Sequence, residues 1–176
     1  KDPMIILDDA DIERSVDAAI WGGFSNAGQT CLSVERIYAQ EPIYQKIVDR
    51  LTCIIKNMSS GKNDIIGAIS SYESLEKIKM LITDVKEKST LIKGKAENGW
   101  FVPPTLVINP SENAKILQEE TFGPVMSIES FKSDDEAIIL ANNTGYGLSA
   151  SIFSKNKKRM KDISQRIRVG TVSFND

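Results

Sequence analysis

The sequence predicts a three-layer α/β domain, with helices packed on both faces of a mainly parallel, twisted sheet. Three observations carry that prediction. Short apolar runs of strand length alternate along the chain with stretches whose apolar residues recur every three to four positions. The 176 residues are enough for one domain of ordinary size with its own core. Apolar residues make up 41% and charged residues 26%, the mixture of a globular chain rather than a disordered one.

The elements follow in order. Met4-Ile5-Ile6-Leu7, ended by Asp8-Asp9, reads as a buried strand. Asp9 or Asp11 can cap the next segment by accepting a hydrogen bond from a free first-turn amide. There Ile12, Val16, Ala19, Ile20 and Gly23 line one helical face as far as about Ser25. Gly28 interrupts the pattern, and Arg36-Ile37-Tyr38-Ala39 makes a second strand. Ile43, Ile47, Val48, Leu51, Ile54, Ile55 and Met58 form a helical stripe, stopped by the polar loop from Ser59 to Asp64. Leu75, Ile78, Leu81, Ile82 and Val85 mark a third helix, and Leu91-Ile92-Lys93 a strand. The stretch from Gly94 to Gly99 reads as polar loop. Pro103-Pro104 precedes Thr105 to Ile108, which reads as a strand or an edge strand, since proline donates nothing to a ladder. Val125 to Phe131 is strand-like, and Ala137, Ile138, Leu140 and Ala141 imply a helix ending near Asn142. Strands at Leu148 to Phe153 and Val169 to Phe174 flank a basic helix over Lys157 to Ile167.

Composition removes several chemistries. There is no histidine, so imidazole metal sites and Ser-His or Cys-His couples within the chain are excluded, and no metal is expected. The two cysteines, Cys31 and Cys53, are expected as free thiols in a reducing compartment. Lys plus Arg is 22 and Asp plus Glu is 24, a net charge of −2. That balance attracts neither nucleic acid nor an anionic membrane. The basic run around Lys155 to Lys161 lacks interleaved aromatics and reads as a solvated helix face. No leader-like segment and no apolar run near the ~20 residues of a membrane span is visible. The expectation is a cytoplasmic protein. The start at Lys1-Asp2-Pro3, without methionine, reads as a cut.

Two constellations could carry chemistry. Gly28, three residues before Cys31, allows a sharp turn that aims the thiol away from the preceding helix. Backbone amides at such a turn can converge on an oxyanion formed at a carbon bonded to sulfur. A small buried hydrophobe is the competing reading. Cys53, between Leu51 and Ile54, reads as structural. In Glu119-Glu120-Thr121-Phe122-Gly123-Pro124, carboxylates can accept from vicinal hydroxyls such as a ribose diol, and the ring can wall a flat ligand. Ser60-Gly61-Lys62 lacks the spacing of a phosphate loop, and Gly22-Gly23 with Gly28 does not make a dinucleotide fingerprint.

Taken together these motifs resemble the NAD(P)-dependent aldehyde dehydrogenase superfamily. The likeness covers nearly the whole chain. Gly28-Gln29-Thr30-Cys31, with Arg36 following, looks like the active-site cysteine motif. Gly99 to Thr105, Glu119 to Val125, Asn142 to Leu148, and Gly170-Thr171-Val172-Ser173-Phe174-Asn175 resemble further family segments in the family's order.

The resemblance implies the fold of the family's catalytic, C-terminal domain, with residues 1–176 as a single catalytic-domain fragment. Cys31 would be the thiolate that attacks the aldehyde, giving a thiohemiacetal and then a thioester. Glu120 would hold the nicotinamide ribose, with Phe122 beside it, on NAD or NADP. Asn26, Thr30 and Asn175 would line the oxyanion region or the substrate pocket. It further implies that the general-base glutamate, the dinucleotide-binding domain and the oligomerisation segment lie outside the chain. The fragment alone is then expected to turn nothing over and to hold no cofactor tightly. Its partners would be an aldehyde and the missing dinucleotide-binding domain, within a homo-oligomeric parent. Two alternatives stay open: a coenzyme-A-acylating relative, and a non-catalytic binding or assembly domain.

Overall fold

The computed structural model describes residues 1–86 and 89–176. The sheet at its centre has seven strands: β1 (Asp2–Ile6), β2 (Val34–Gln40), β4 (Thr90–Lys93), β6 (Thr105–Ile108), β7 (Val125–Phe131), β8 (Ser149–Phe153) and β9 (Thr171–Phe174). Their spatial order is β4-β6-β7-β2-β1-β8-β9. Every neighbouring pair is parallel except β4 with β6. Two further short strands, β3 (Ser59–Ser60) and β5 (Lys95–Ala96), pair apart from it.

Alternation along the strands builds the layers. Met4 and Ile6 point to one face of β1, and Ile5 and Leu7 to the other. On the first face, Met4, Ile6, Ile37, Ala39, Met126 and Ile128 pack with α1 (Ile12–Phe24), α2 (Glu41–Lys56) and α3 (Tyr72–Val85). A one-turn helix, α4 (Lys115–Gln118), joins this layer through Ile116 and Leu117. On the second face, Ile5, Leu7, Tyr38, Ala150 and Ile152 pack with α5 (Asp134–Asn142) and α6 (Lys157–Ser164). Helices on both sides leave the central strands buried on both faces, hence their near-continuous apolar runs.

Local signals explain the ends. Of the two candidate caps it is Asp11 that accepts from the Arg14 amide, at 3.1 Å. Asp9 instead accepts from Ser154 Oγ at 2.6 Å and the Lys155 amide at 3.2 Å. Ser71 and Ser133 cap α3 and α5 in the same manner. α2 starts at Glu41, with Pro42 in its first turn, where the missing amide proton is no loss.

The strand after Pro103-Pro104 forms as read, and of the two alternatives it is an interior strand rather than an edge. β6 is flanked by β4 and β7, and the prolines precede the ladder rather than interrupt it. Cys53 also differs from expectation. It is exposed, because in α2 the buried positions are Leu51 and Ile55 and residue 53 faces away from them.

Candidate active site

The site forms at the amino edge of the parallel sheet. β2 and β7 run side by side with Arg36 opposite Ser127, so the loops entering them meet at the same edge. The first loop carries Cys31 and the second carries Glu120.

After α1 the chain takes a tight turn through three consecutive left-handed residues, Asn26 (φ 52°), Ala27 (φ 57°) and Gly28 (φ 69°). Only glycine adopts this region freely, so Asn26 and Ala27 are held there by their surroundings. Asn26 Nδ2 donates to the Gln29 carbonyl at 3.0 Å, and the Gln29 amide donates to the Asn26 carbonyl at 3.1 Å. The Gln29 side chain reaches outward, donating to Ala68 O at 3.1 Å and accepting from the Ser70 amide at 2.8 Å. Ser33 closes the far side, its amide on Thr30 O and its hydroxyl on Gly22 O. Cys31 emerges exposed between these ties.

Gly28 presses backbone to backbone on the second loop. A Cβ on it would stand 2.1 Å from Gly123 O and 3.0 Å from Pro124 N. That contact makes the cysteine turn and the Glu119–Pro124 loop one surface. Phe122 is itself left-handed, at φ 50°. Glu120 is partly exposed, and among the described residues no hydrogen bond engages its carboxylate, while its amide donates to Tyr146 Oη at 3.3 Å. A carboxylate that none of the described residues engages, two positions before an aromatic residue on the same loop, is compatible with a vicinal diol such as that of a nicotinamide ribose.

Sequence reasoning missed two residues here. Glu35, buried at the start of β2, accepts from the Thr121 amide at 3.0 and 3.1 Å and from the Phe122 amide at 3.2 Å. Lys1 Nζ, also buried, sits 2.7 Å from Glu35. Burial pulls the Lys1 ammonium down from its ordinary value, against the pull of Glu35. Burial opposes charge on Glu35 as well, but Lys1 and the Thr121 amide outweigh it and hold the carboxyl below the usual range. The signal for them lay in the sequence: a glutamate inside an otherwise buried strand must find a partner.

Arg36 is a structural hub. The residue is 1% exposed, and its guanidinium donates to the carbonyls of Lys1, Leu140 and Ala141 and to Tyr38 Oη.

The remaining predicted positions separate. Asn26 and Thr30 belong to the cysteine turn. Asn175 does not. It follows β9 at the opposite, carboxyl edge, where Oδ1 accepts from the Ser154 amide at 3.0 Å and Nδ2 donates to Ser154 O at 2.9 Å. A groove of about 620 Å³ runs between α1 and strands β1, β8 and β9. Leu32, next to Cys31, lines it with Trp21 and Asn175, but Cys31 and Glu120 do not. Trp21 is 76% exposed and Leu32 52%. Among the described residues, no three His, Cys, Asp or Glu side chains group to hold a metal. No described helix is long and apolar enough to cross a membrane.

The comparisons with known proteins fall into one group. Residues 1–176 match the aldehyde dehydrogenase family throughout. The chain belongs to that family. Aldehyde dehydrogenase family 2 member C4 of Arabidopsis thaliana is 38% identical over 183 residues, covering 99% of this chain and 36% of the relative. Alpha-ketoglutaric semialdehyde dehydrogenase of Bacillus subtilis is 35% identical over 187 residues, covering 99% and 38%. A crystal structure of betaine aldehyde dehydrogenase from Staphylococcus aureus in complex with NAD+ superposes with a TM-score of 0.93 at 36% identity, covering 99% of this chain and 37% of that one. The chain thus spans under two fifths of the length of these relatives.

Two expectations are corrected here. The assignment to the family's catalytic, C-terminal domain is withdrawn, and so is the partner deduced from it, a missing dinucleotide-binding domain. The cysteine named for the Staphylococcus aureus structure stands at position 289 of its chain, whereas this sequence has 176 positions. What the similarity supports is the aldehyde dehydrogenase fold in general. The part played by Cys31 therefore rests on its motif and its local geometry.

Proposed function

We propose that the protein to which this chain belongs oxidises an aldehyde to a carboxylate with NAD or NADP, and that Cys31 is the nucleophile. The observation that carries this reading is the Gly28–Gly123 contact. It joins an exposed thiol, presented by a strained left-handed turn, to a loop bearing a carboxylate with two unengaged oxygens.

The chemistry assigned to the residues is brief. The Cys31 sulfur adds to the aldehyde carbon, and the Cys31 amide stabilises the oxygen on which negative charge develops. The dinucleotide, when bound, accepts the hydride. Glu120 would hold its ribose diol, with Phe122 beside it. Water then releases the acid from Cys31. Relatives named for betaine aldehyde and for alpha-ketoglutaric semialdehyde support an aldehyde as the substrate class. Two free thiols, both exposed, suit a reducing compartment, and the cytoplasm is the location we propose.

The test is absorbance of NADH or NADPH formed by the full-length protein with a panel of aliphatic and semialdehyde substrates. Turnover abolished by Cys31→Ser supports the reading. Turnover that survives this substitution overturns it, and acyl transfer to coenzyme A in place of water would move the protein to the acylating class.

A further inference from the structure

Glu35 lies four residues after Cys31, yet it does not touch the solvent-exposed face of the site. It is 2% exposed, on the central strand of the sheet. Its two oxygens collect the amides of Thr121 and Phe122 and the ammonium of Lys1. These amides belong to the residues immediately after Glu120, in a loop with few other anchors. Among the described residues the Glu120 amide finds only the Tyr146 hydroxyl at 3.3 Å, and the buried Thr121 hydroxyl has no partner. Downstream, Gly123 is wedged between Gly28 and Ile78. Glu35 is therefore the one charged group among the described residues that grips the loop between Glu120 and Gly123.

We infer that Glu35, held in charge balance by Lys1, is a positioning residue that fixes the Glu120–Phe122 loop against the cysteine turn and so sets dinucleotide affinity. The inference rests on the proposed dehydrogenase reading and adds to it a residue that touches neither substrate nor cofactor. A buried carboxylate on two backbone amides and an ammonium is a directional clamp. Charge-assisted bonds of this kind are about twice as strong as neutral ones. Shortening the side chain by one carbon keeps the pairing with Lys1 but withdraws the oxygens from the loop. Replacing the carboxylate by an amide does the converse, keeping an acceptor at the loop while removing the charge.

The experiment uses the full-length protein with Glu35→Asp and Glu35→Gln, each checked by circular dichroism. Binding of NADH and NADPH is followed by fluorescence titration, which needs no turnover. Loss of one charge-assisted clamp corresponds to a Kd for the dinucleotide raised about tenfold in Glu35→Asp. In Glu35→Gln it stays within about threefold of the parent, because a neutral acceptor retains part of the grip. The alkylation rate of Cys31 stays unchanged in both. A Kd unchanged in Glu35→Asp, or raised more in Glu35→Gln than in Glu35→Asp, overturns the inference. Cys31→Ser is run alongside as the separate control on the dehydrogenase reading. Lost turnover in that variant together with an unchanged Kd in Glu35→Asp would sink the clamp and leave the dehydrogenase standing.

Discussion

Gly28 and Gly123 meet backbone to backbone, so closely that a single methyl on Gly28 would lie 2.1 Å from the Gly123 carbonyl oxygen. The contact joins two loops that are nearly a hundred residues apart in sequence and enter adjacent strands. Everything proposed for the site depends on it.

Gly28→Ala is therefore expected to be severe. The new Cβ meets main chain rather than a flexible side chain, and φ at +69° is unfavourable for alanine in any case. Overpacking and backbone strain together predict a loss of about 2–4 kcal/mol in unfolding free energy, read by urea denaturation. Gly67→Ala is the control. Nothing lies within 4 Å of its added methyl, and its stability should stay within about 0.5 kcal/mol.

Arg36→Lys tests the hub beneath the site. One ammonium cannot serve the carbonyls of Lys1, Leu140 and Ala141 from the places a guanidinium fork reaches. Buried acceptors left without donors predict a loss of about 2 kcal/mol or more, measured by chemical denaturation. A variant as stable as the parent would show that the fork is dispensable.

The acid range offers a third measurement. Burial pushes the Glu129 carboxyl up to about 7, with Arg36 opposing and Glu112 reinforcing the rise. A raised folded-state value means that the folded protein binds this proton more tightly than the unfolded chain. The stabilisation from it is full below the ordinary value of 4.5, declines as pH climbs from there to about 7, and is absent above. Glu129→Gln should flatten that slope and raise the melting temperature at pH 8 relative to the parent. Melting curves at pH 5 and pH 8 decide it.

Alkylation separates the two thiols by function rather than by access. Both Cys31 and Cys53 are exposed, so iodoacetamide should label both. An aldehyde substrate should protect Cys31 alone, as read by peptide mass spectrometry. Equal protection of the two, or none at Cys31, would count against the nucleophile.

Much of this architecture is legible in the residues, for identifiable reasons. The stripe Ile43, Ile47, Leu51, Ile55 can bury itself only as a helix, and Val125 to Phe131 only as a strand between layers. What escapes is what periodicity does not encode. α4 is a single turn, too short to display a period, and β3 and β5 are two residues each. The neighbours of Cys53 are apolar in sequence, but the helix rotates them to other faces. The cysteine turn is readable from Gly28 and Cys31. For the pair Lys1–Glu35 the sequence signals only that a glutamate in a buried strand needs a partner, not which one, since the two residues come together only when β1 docks on β2. Only a motif speaks for Asn175 in the sequence, and its hydrogen bonds take it to Ser154 at the other edge of the sheet.

One pairing also sets a timetable. Strand β1 lies between β2 and β8, and its Asp2 carboxylate is tied to Ser149, 147 residues further along. During synthesis the surroundings of β1 cannot be completed until Ser149 has followed Asp2 out of the ribosome, 147 residues later. At about 5–20 residues per second that is a wait of about 7–30 seconds, with the β8 side of β1 unpaired in the meantime. Such distant closure makes for slow folding and exposes this chain to aggregation during synthesis, so its yield should depend on chaperone supply more than its final stability would suggest.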